Sequence, residues 1–229
     1  MPFSVTIPSP LLVVEAATSA GSTALVVDGR VVGRRDVAMG VTRDDTLFPA
    51  VQSLLAEAGL GARDLRAIVC GAGPGSFTSL RIAGSLAKGL AFAGDCELYG
   101  ISSMILAAAT VNRAGRFVVH SDALRGERFA LDVKIDAEGL VHAQSVVRRV
   151  AFADLVEASL TRTRLAVISS PEPELESQIV IPDASAVVRC IDWLAEGPVS
   201  LDQWEPDYGR LAEAQVKWEQ AHGRPLADG

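Results

Sequence analysis

The stretch LLVVEAATSAGSTALVVDGRVVGRRD, residues 11–36, decides how the rest of the chain is read. Residues 11–16 form a short apolar run, the pattern of a buried strand. Residues 22–27 and 30–36 are β-rich and are separated only by Asp28-Gly29. A type I′ turn needs positive φ at both central residues, and Asp-Gly supplies it at low steric cost. The chain therefore opens with three consecutive strands, the last two joined as a hairpin.

Downstream of this meander the period changes from two to about 3.6. Residues 46–58 read as a helix, with Leu47, Val51, Leu54, Leu55 and Ala58 on one face. Asp44 or Asp45 can cap it, Pro49 suits its first turn, and Gly59 lies just past its end. A strand at 65–70, a helix at 77–93, a strand at 97–101 and a linking helix at 102–111 follow. The order then repeats: strands at 117–121, 128–135 and 141–147, with a turn at 136–139, a helix at 152–160, a strand at 165–168 and a helix at 185–195. Residues 169–182, with Pro171, Pro173 and Pro182, read as a loop. Two successive βββαβα units predict an α/β fold of two tandem ribonuclease-H-like lobes, the actin/Hsp70/sugar-kinase architecture. The expected organisation is a first lobe at 10–111, a second at 112–206, and a C-terminal helix and tail at 207–229 packing back on the body. In that tail Leu211 and Trp218 share a helical face.

Composition narrows the function classes. The chain has 229 residues, 49% of them hydrophobic and 21% charged, enough for a real core and against general disorder. The net charge of −7 disfavours autonomous nucleic-acid binding, because phosphate contacts require Lys and Arg. Cys70, Cys96 and Cys190 are odd in number and widely spaced, which fits neither a disulfide framework nor a thiolate zinc site. The first ten residues lack the positive charge of a signal peptide. The most apolar helix, 77–93, carries Arg81 and Lys88 and is a poor membrane span. These points predict a cytoplasmic protein with no membrane partner.

Between the strand at 65–70 and the helix at 77–93 runs Gly71-Ala-Gly-Pro-Gly-Ser-Phe-Thr-Ser-Leu-Arg81. Gly73, Pro74, Gly75 and Ser76 allow a tight turn, and Ser76 can cap the helix. Backbone N–H groups there would suit an anion, or the turn could serve close packing alone. The stretch matches neither the dinucleotide fingerprint nor the P-loop. On the helix, Ala83, Ala87 and Ala91 recur every four residues beside Gly84, a row that permits close helix approach. Leu80, Ile82, Leu86, Leu90 and Phe92 spread over the remaining faces, leaving Arg81, Ser85 and Lys88 as a narrow polar stripe. Such a helix needs cover on more than one side, from the linking helix at 102–111 or from a partner.

Gly73-Pro-Gly-Ser-Phe77-Thr78-Ser-Leu-Arg81 closely resembles the GPGSFTGLR signature of the TsaB (YeaZ) family, tRNA threonylcarbamoyladenosine biosynthesis subunits often described as M22 glycoprotease-like. The resemblance extends to the opening strand and turn at 11–18, to Thr46-Leu-Phe-Pro49, to Asp122-Ala-Leu-Arg-Gly-Glu127 in the second half, and to Pro206-Asp-Tyr208 with Arg210. It implies a non-catalytic scaffold or activator that pairs with the catalytic homologue TsaD through the two first-lobe helices. TsaE joins as an ATPase, and the complex modifies tRNA. Leu47, Val51, Leu54, Leu55, Leu80, Ala83, Gly84, Ala87, Leu90 and Ala91 are then the expected partner interface, which could also self-associate as a homodimer. Two departures bear on nucleotide binding. Glu15 replaces the family's Asp, and Ala16 replaces Thr, in the turn where actin-like folds handle phosphate. Glu15 and Thr18 remain the candidate nucleotide contacts, with ATP or ADP expected only in the complex. Within the signature, Ser79 stands for the last Gly, and the family's His before the first helix is replaced near Arg43.

Two rival readings are a glycoprotease-like hydrolase and an ATP-dependent kinase-like enzyme. The first needs a metal or a nucleophile. His120, His142 and His222 are the only histidines, and none are spaced one helical turn apart to share an ion. His120 and Asp122 share a strand face, yet the sequence places no nucleophile with them. No catalytic residue and no metal ligand is expected.

Overall fold

The computed structural model describes residues 7–39, 46–160, 164–168 and 176–208. β1 (Leu11–Glu15), β2 (Ala20–Val27) and β3 (Arg30–Ala38) form the opening meander. Asp28 and Gly29 take φ of 50° and 73°, as the hairpin reading requires. β1 also pairs in parallel with β4 (Ala67–Gly71), which pairs in parallel with β5 (Glu97–Ile101), giving the order β3-β2-β1-β4-β5. All five residues of β1 are buried because the strand is central and covered on both faces.

The alternation of the strands divides the first lobe into two cores. Leu12, Val14, Ile68, Cys70 and Leu98 pack against α1 (Leu47–Glu57) and α2 (Phe77–Gly94). Leu11, Val13, Ala67, Val69 and Ile101 face the other way, toward α3 (Ser103–Ala108) and the second sheet. That sheet comprises β6 (Gly115–Leu124), β7 (Glu127–Ile135), β8 (Val141–Ala143), β10 (Leu165–Ile168) and β11 (Ser177–Val180), with β9 (Arg148–Ala151) pairing β7. Read from its other edge, its order β8-β7-β6-β10-β11 repeats that of the first sheet element for element. α4 (Phe152–Leu160) covers its outer face, where Leu155 meets Val118, Ala130 and Leu165. The inner faces of the two lobes share one apolar core.

Several elements differ from expectation. Residues 141–147 are not one strand: Asp132 donates its N–H to the Ser145 hydroxyl (3.1 Å), which breaks the ladder between β8 and β9. The stretch 169–182 contains β11, because Pro173 and Pro182 flank four ladder residues without interrupting them. The helix predicted at 185–195 is a 3₁₀ turn, Ala184–Arg189, followed by the single-turn α5 (Trp193–Glu196). Val187, Val188 and Ile191 are poor helix formers, and Cys190 leaves helical backbone at φ −127°, ψ 73°. Residues 199–208 run back along the first sheet: Val199 donates to Leu98 O (2.7 Å) and Asp207 to Ala72 O (2.7 Å). The helix read at 207–221 lies outside the described residues beyond Tyr208, as do Asp44 and Asp45.

Candidate functional site

β4 ends at Gly71, and the turn Ala72–Ser76 carries the chain into α2. Gly73 has φ +90°, a conformation L side chains rarely adopt, and a Cβ there would run into the Asp207 carbonyl. Ser76 caps α2, its Oγ accepting from Ser79 N–H (3.5 Å) and Ser79 Oγ (3.0 Å). The returning segment of residues 199–208, irregular backbone, seals this turn. Tyr208 packs on Phe77 with ring centroids 4.5 Å apart, and Pro206 and Trp204 lie against Gly84 and Gly100.

Beneath the turn sits Glu15, fully buried. Its Oε1 accepts the Ala17 N–H (2.6 Å) and its Oε2 accepts the Ser103 hydroxyl (2.8 Å). Ser103 Oγ in turn accepts the Gly73 N–H (3.1 Å), while Ser103 N–H donates to Gly73 O (2.9 Å). The Ser76 N–H donates to Ala17 O (2.8 Å). Burial pushes the Glu15 carboxyl up to about 7, against the hydrogen bonds from Ala17 and Ser103 that favour its ionised form. Gly71 makes the arrangement possible: a Cβ there would overlap Glu15 Oε2 and sit 2.8 Å from its Cδ. Thr18 closes on its own turn, donating to Ala20 O (3.0 Å) and accepting Ala20 N–H (3.2 Å). The amides of Ala17, Gly73 and Ser76, which an anion site would direct at its ligand, are thus bonded within the chain. Ser103 is the residue sequence reasoning missed. Ser102 caps α3, its Oγ accepting Met104 N–H (3.3 Å), and no sequence motif marks Ser103.

Placement of the expected partner interface requires a correction. Leu47, Val51, Leu54, Leu55, Leu80, Ala83, Gly84, Ala87 and Ala91 are buried by the chain itself. The alanine row admits α2 closely onto its own sheet, against Ile68, Cys70 and Leu98, so no partner is needed to cover it. Leu90 is half-buried. The solvent-facing side of α2 is instead Thr78, Arg81, Ser85, Gly89, Phe92 and Ala93, flanked by the half-buried Ile82 and Leu86. Phe92 is 82% exposed, and Phe48, at the start of α1, is 47% exposed. Phe48, Arg81, Ile82, Ser85 and Leu86 line a shallow groove between the helices. A Cβ at Gly89 would meet nothing within 4 Å, so no contact inside the chain explains a mid-helix glycine there.

In the second lobe His120 is fully buried, and burial together with Arg128 holds its imidazole down at about 4, neutral at physiological pH. Asp122 pairs with Arg128 (3.3 Å), whose guanidinium lies 4.4 Å from the Phe152 ring centroid. His142 bridges Asp136 (3.2 Å) and Asp192 (3.1 Å). Cys70 and Cys190 are buried, and burial raises both thiols. Among the described residues, no group of three or more His, Cys, Asp and Glu could hold a metal ion, and no helix is long and apolar enough to cross a membrane.

Known proteins agree with the duplicated fold. A family model described as TsaD, tRNA N6-adenosine threonylcarbamoyltransferase, matches residues 44–159. The tRNA threonylcarbamoyladenosine biosynthesis protein TsaB of Escherichia coli is 26% identical over 240 residues, covering 93% of this chain and 99% of that protein. The TsaB of Bacillus subtilis is 30% identical over 75% of this chain and 81% of its own length. The solved structure of YeaZ from Pseudomonas aeruginosa superposes with a TM-score of 0.70 at 24% identity, over 86% of this chain and 98% of that one. From signature turn to second-lobe sheet, the chain belongs to the TsaB (YeaZ) family of tRNA threonylcarbamoyladenosine biosynthesis proteins.

Proposed function

We propose that this chain is a non-catalytic subunit that binds and supports a TsaD-like threonylcarbamoyltransferase through the outward face of α1 and α2. One observation carries the reading: the solvent side of α2 joins small residues at Ser85, Gly89 and Ala93 to an exposed Phe92 beside the Phe48 groove. A mid-helix glycine costs about 1 kcal/mol relative to alanine. Nothing inside the chain offsets that at Gly89. A partner helix crossing at that point would, because small residues let backbones approach.

The match of residues 44–159 to a TsaD model supports a partner of like fold, with equivalent helices offering a similar face. The rest of the reading follows the family resemblance. A TsaE-like ATPase joins the pair, tRNA is engaged by the complex, ATP or ADP binds only there, and the free chain can dimerise through the same apolar face. The closed Glu15–Ser103 network supports a lobe that holds the partner rather than a nucleotide.

Mixing the purified chain with the TsaD-like subunit and measuring binding by calorimetry tests this. Phe92→Asp and Ser85→Trp, both on exposed positions, should abolish the complex while leaving the far-UV spectrum and melting temperature unchanged. Undiminished affinity in both variants refutes the face. Ala87→Trp is unsuitable, because Ala87 is fully buried and the variant would disrupt the core.

A further inference from the structure

Beyond β11 the chain leaves the second sheet and crosses to the first. Its 3₁₀ turn, Ala184–Arg189, lies between the lobes on the inner face of β1, β2 and β3. Ala184 and Val187 are fully buried there, in the apolar core that both lobes share. Polar contacts pin the leading end of the turn. Arg34 of β3 donates from Nε to both carboxylate oxygens of Asp183 (3.1 Å each). Asp183 also accepts the Ser185 N–H (2.8 Å) and hydroxyl (2.7 Å), which caps the turn. The Ala184 N–H donates to the buried Ser22 hydroxyl (2.9 Å), and Ser22 stands opposite Glu15 in the β1–β2 ladder. The latch thus closes over the same inner face that carries the Glu15–Ser103 network.

This end is built to let go before the sheets do. A 3₁₀ turn of six residues has little helical stability of its own. Its buried side chains are Ala184, Ala186 and Val187, small groups that anchor little apolar area. The Arg34 guanidinium is shared, since Nη1 and Nη2 donate to Asp36 (2.9 and 2.6 Å). When Asp183 leaves, Arg34 keeps a carboxylate partner, and Asp183, already 23% exposed, passes into water. The trailing end is held harder. Arg189 donates to the carbonyls of Gly139, Val111 and Ala109, and the Trp193 ring meets Tyr99 edge-on at 4.9 Å.

We propose that the 3₁₀ turn is a latched wedge between the lobes: residues 183–187 lift from the first sheet when the Arg34–Asp183 pair opens, hinging at Arg189, while both sheets stay folded. Opening frees Ser22 and uncovers the inner face beside Glu15.

Hydrogen exchange of the full chain, followed amide by amide at increasing urea, tests this. The Ala184 and Ala186 amides should exchange faster than those of β1 and β4, with a shallower urea dependence, because local opening exposes little surface. Arg34→Ala should speed exchange at Ala184 about tenfold and leave its shallow urea dependence in place; this is the low end for hydrogen bonds to a charged group, as the pair is partly exposed. Arg34→Lys should recover only part of the protection, lacking the fork. Salt at about 0.5 M should speed exchange at Ala184 in the wild type and not in Arg34→Ala. Asp183→Asn, which keeps an acceptor for Ser185, gives the same reading if Arg34→Ala does not fold. Ala184 and β1 amides sharing one rate and one urea slope overturn the proposal, because the wedge would then leave only on global unfolding. So does exchange at Ala184 that is indifferent to Arg34, or equally salt-sensitive with and without it. No partner subunit enters the measurement, so the result stands apart from the proposed function.

Discussion

Replacing Gly71 by alanine drives a methyl group into the carboxylate of Glu15. The Cβ would overlap Oε2, lie 2.8 Å from Cδ and sit 3.0 Å from Ser103 Oγ. None of these atoms is the free end of a flexible chain, because Oε1 is held by Ala17 N–H and Oε2 by Ser103. Overpacking a closed interior costs roughly 1–3 kcal/mol. Displacing the carboxyl from its two donors adds about 1–3 kcal/mol for the groups left unpaired. Gly71→Ala alone should therefore destabilise by about 2–6 kcal/mol. Glu15→Asp alone withdraws the carboxyl by one methylene and weakens both bonds, at about 1–3 kcal/mol. The retraction also vacates the space the new methyl needs. The double variant should be less destabilised than the sum by at least about 1 kcal/mol, a coupling readable in a double-mutant cycle of denaturant unfolding. Additive losses would refute the reasoning, since they would mean that Gly71 is not shaped to the length of Glu15.

Four further outcomes follow from the same geometry. Glu15 has its folded-state value raised to about 7, so its contribution is complete below about 4.5 and lost as pH rises through 7; the span corresponds to roughly 3 kcal/mol. His120, held down at about 4, loses stability as pH falls below 6.5, which opposes Glu15 in the acid range. The difference in unfolding free energy between wild type and Glu15→Gln, followed from pH 4 to 8, isolates the carboxyl; a flat difference contradicts it. Gly89→Ala should raise the melting point of the isolated chain, gaining about 0.5–1 kcal/mol, while weakening the TsaD-like partner, and parallel changes in both would count against the crossing point. Ala87→Leu should cost about 1–3 kcal/mol through overpacking against β4, with loss of binding only in proportion to unfolding. Arg189 donates to the carbonyls of Gly139 (2.8 Å), Val111 (3.1 Å) and Ala109, so Arg189→Ala should cost about 2–4 kcal/mol, and lysine, lacking the fork, should recover less than half of it.

What could be read from the sequence depended on whether a feature is local. The meander, both central helices and the doubled element order rest on periodicity and on the Asp28-Gly29 turn, signals held within about ten residues. β11 was hidden because four residues between prolines carry too short a pattern, and its identity as a strand comes from pairing with β10. The site was harder. A row at Ala83, Ala87 and Ala91 announces close approach but not by what, and the sheet of the same chain competes with any partner for it. Ser85, Gly89 and Ala93 form the parallel row that faces out, and only the fold separates the two. Ser103 meets Glu15 across 88 positions of sequence, which no local pattern reports.

The two lobes differ in the helices that cover their sheets. In the first lobe, β4 and β5 are joined through α2, an 18-residue helix lying beside α1. In the second, β10 and β11 occupy the same two places in the sheet but are joined by only residues 169–176. Among the described residues, the outer face of the first sheet carries two helices, α1 and α2, and that of the second carries α4 alone. The proposed partner face therefore lies on the lobe whose turn is closed by Glu15 and Ser103. Creating nucleotide affinity there by Glu15→Asp should require Ser103→Ala as well, because in the single variant the Ser103 hydroxyl still ties down the Gly73 N–H. Calorimetry with magnesium ATP on the single and double variants decides it, and tight binding by Glu15→Asp alone would show that the turn is not locked from the α3 side.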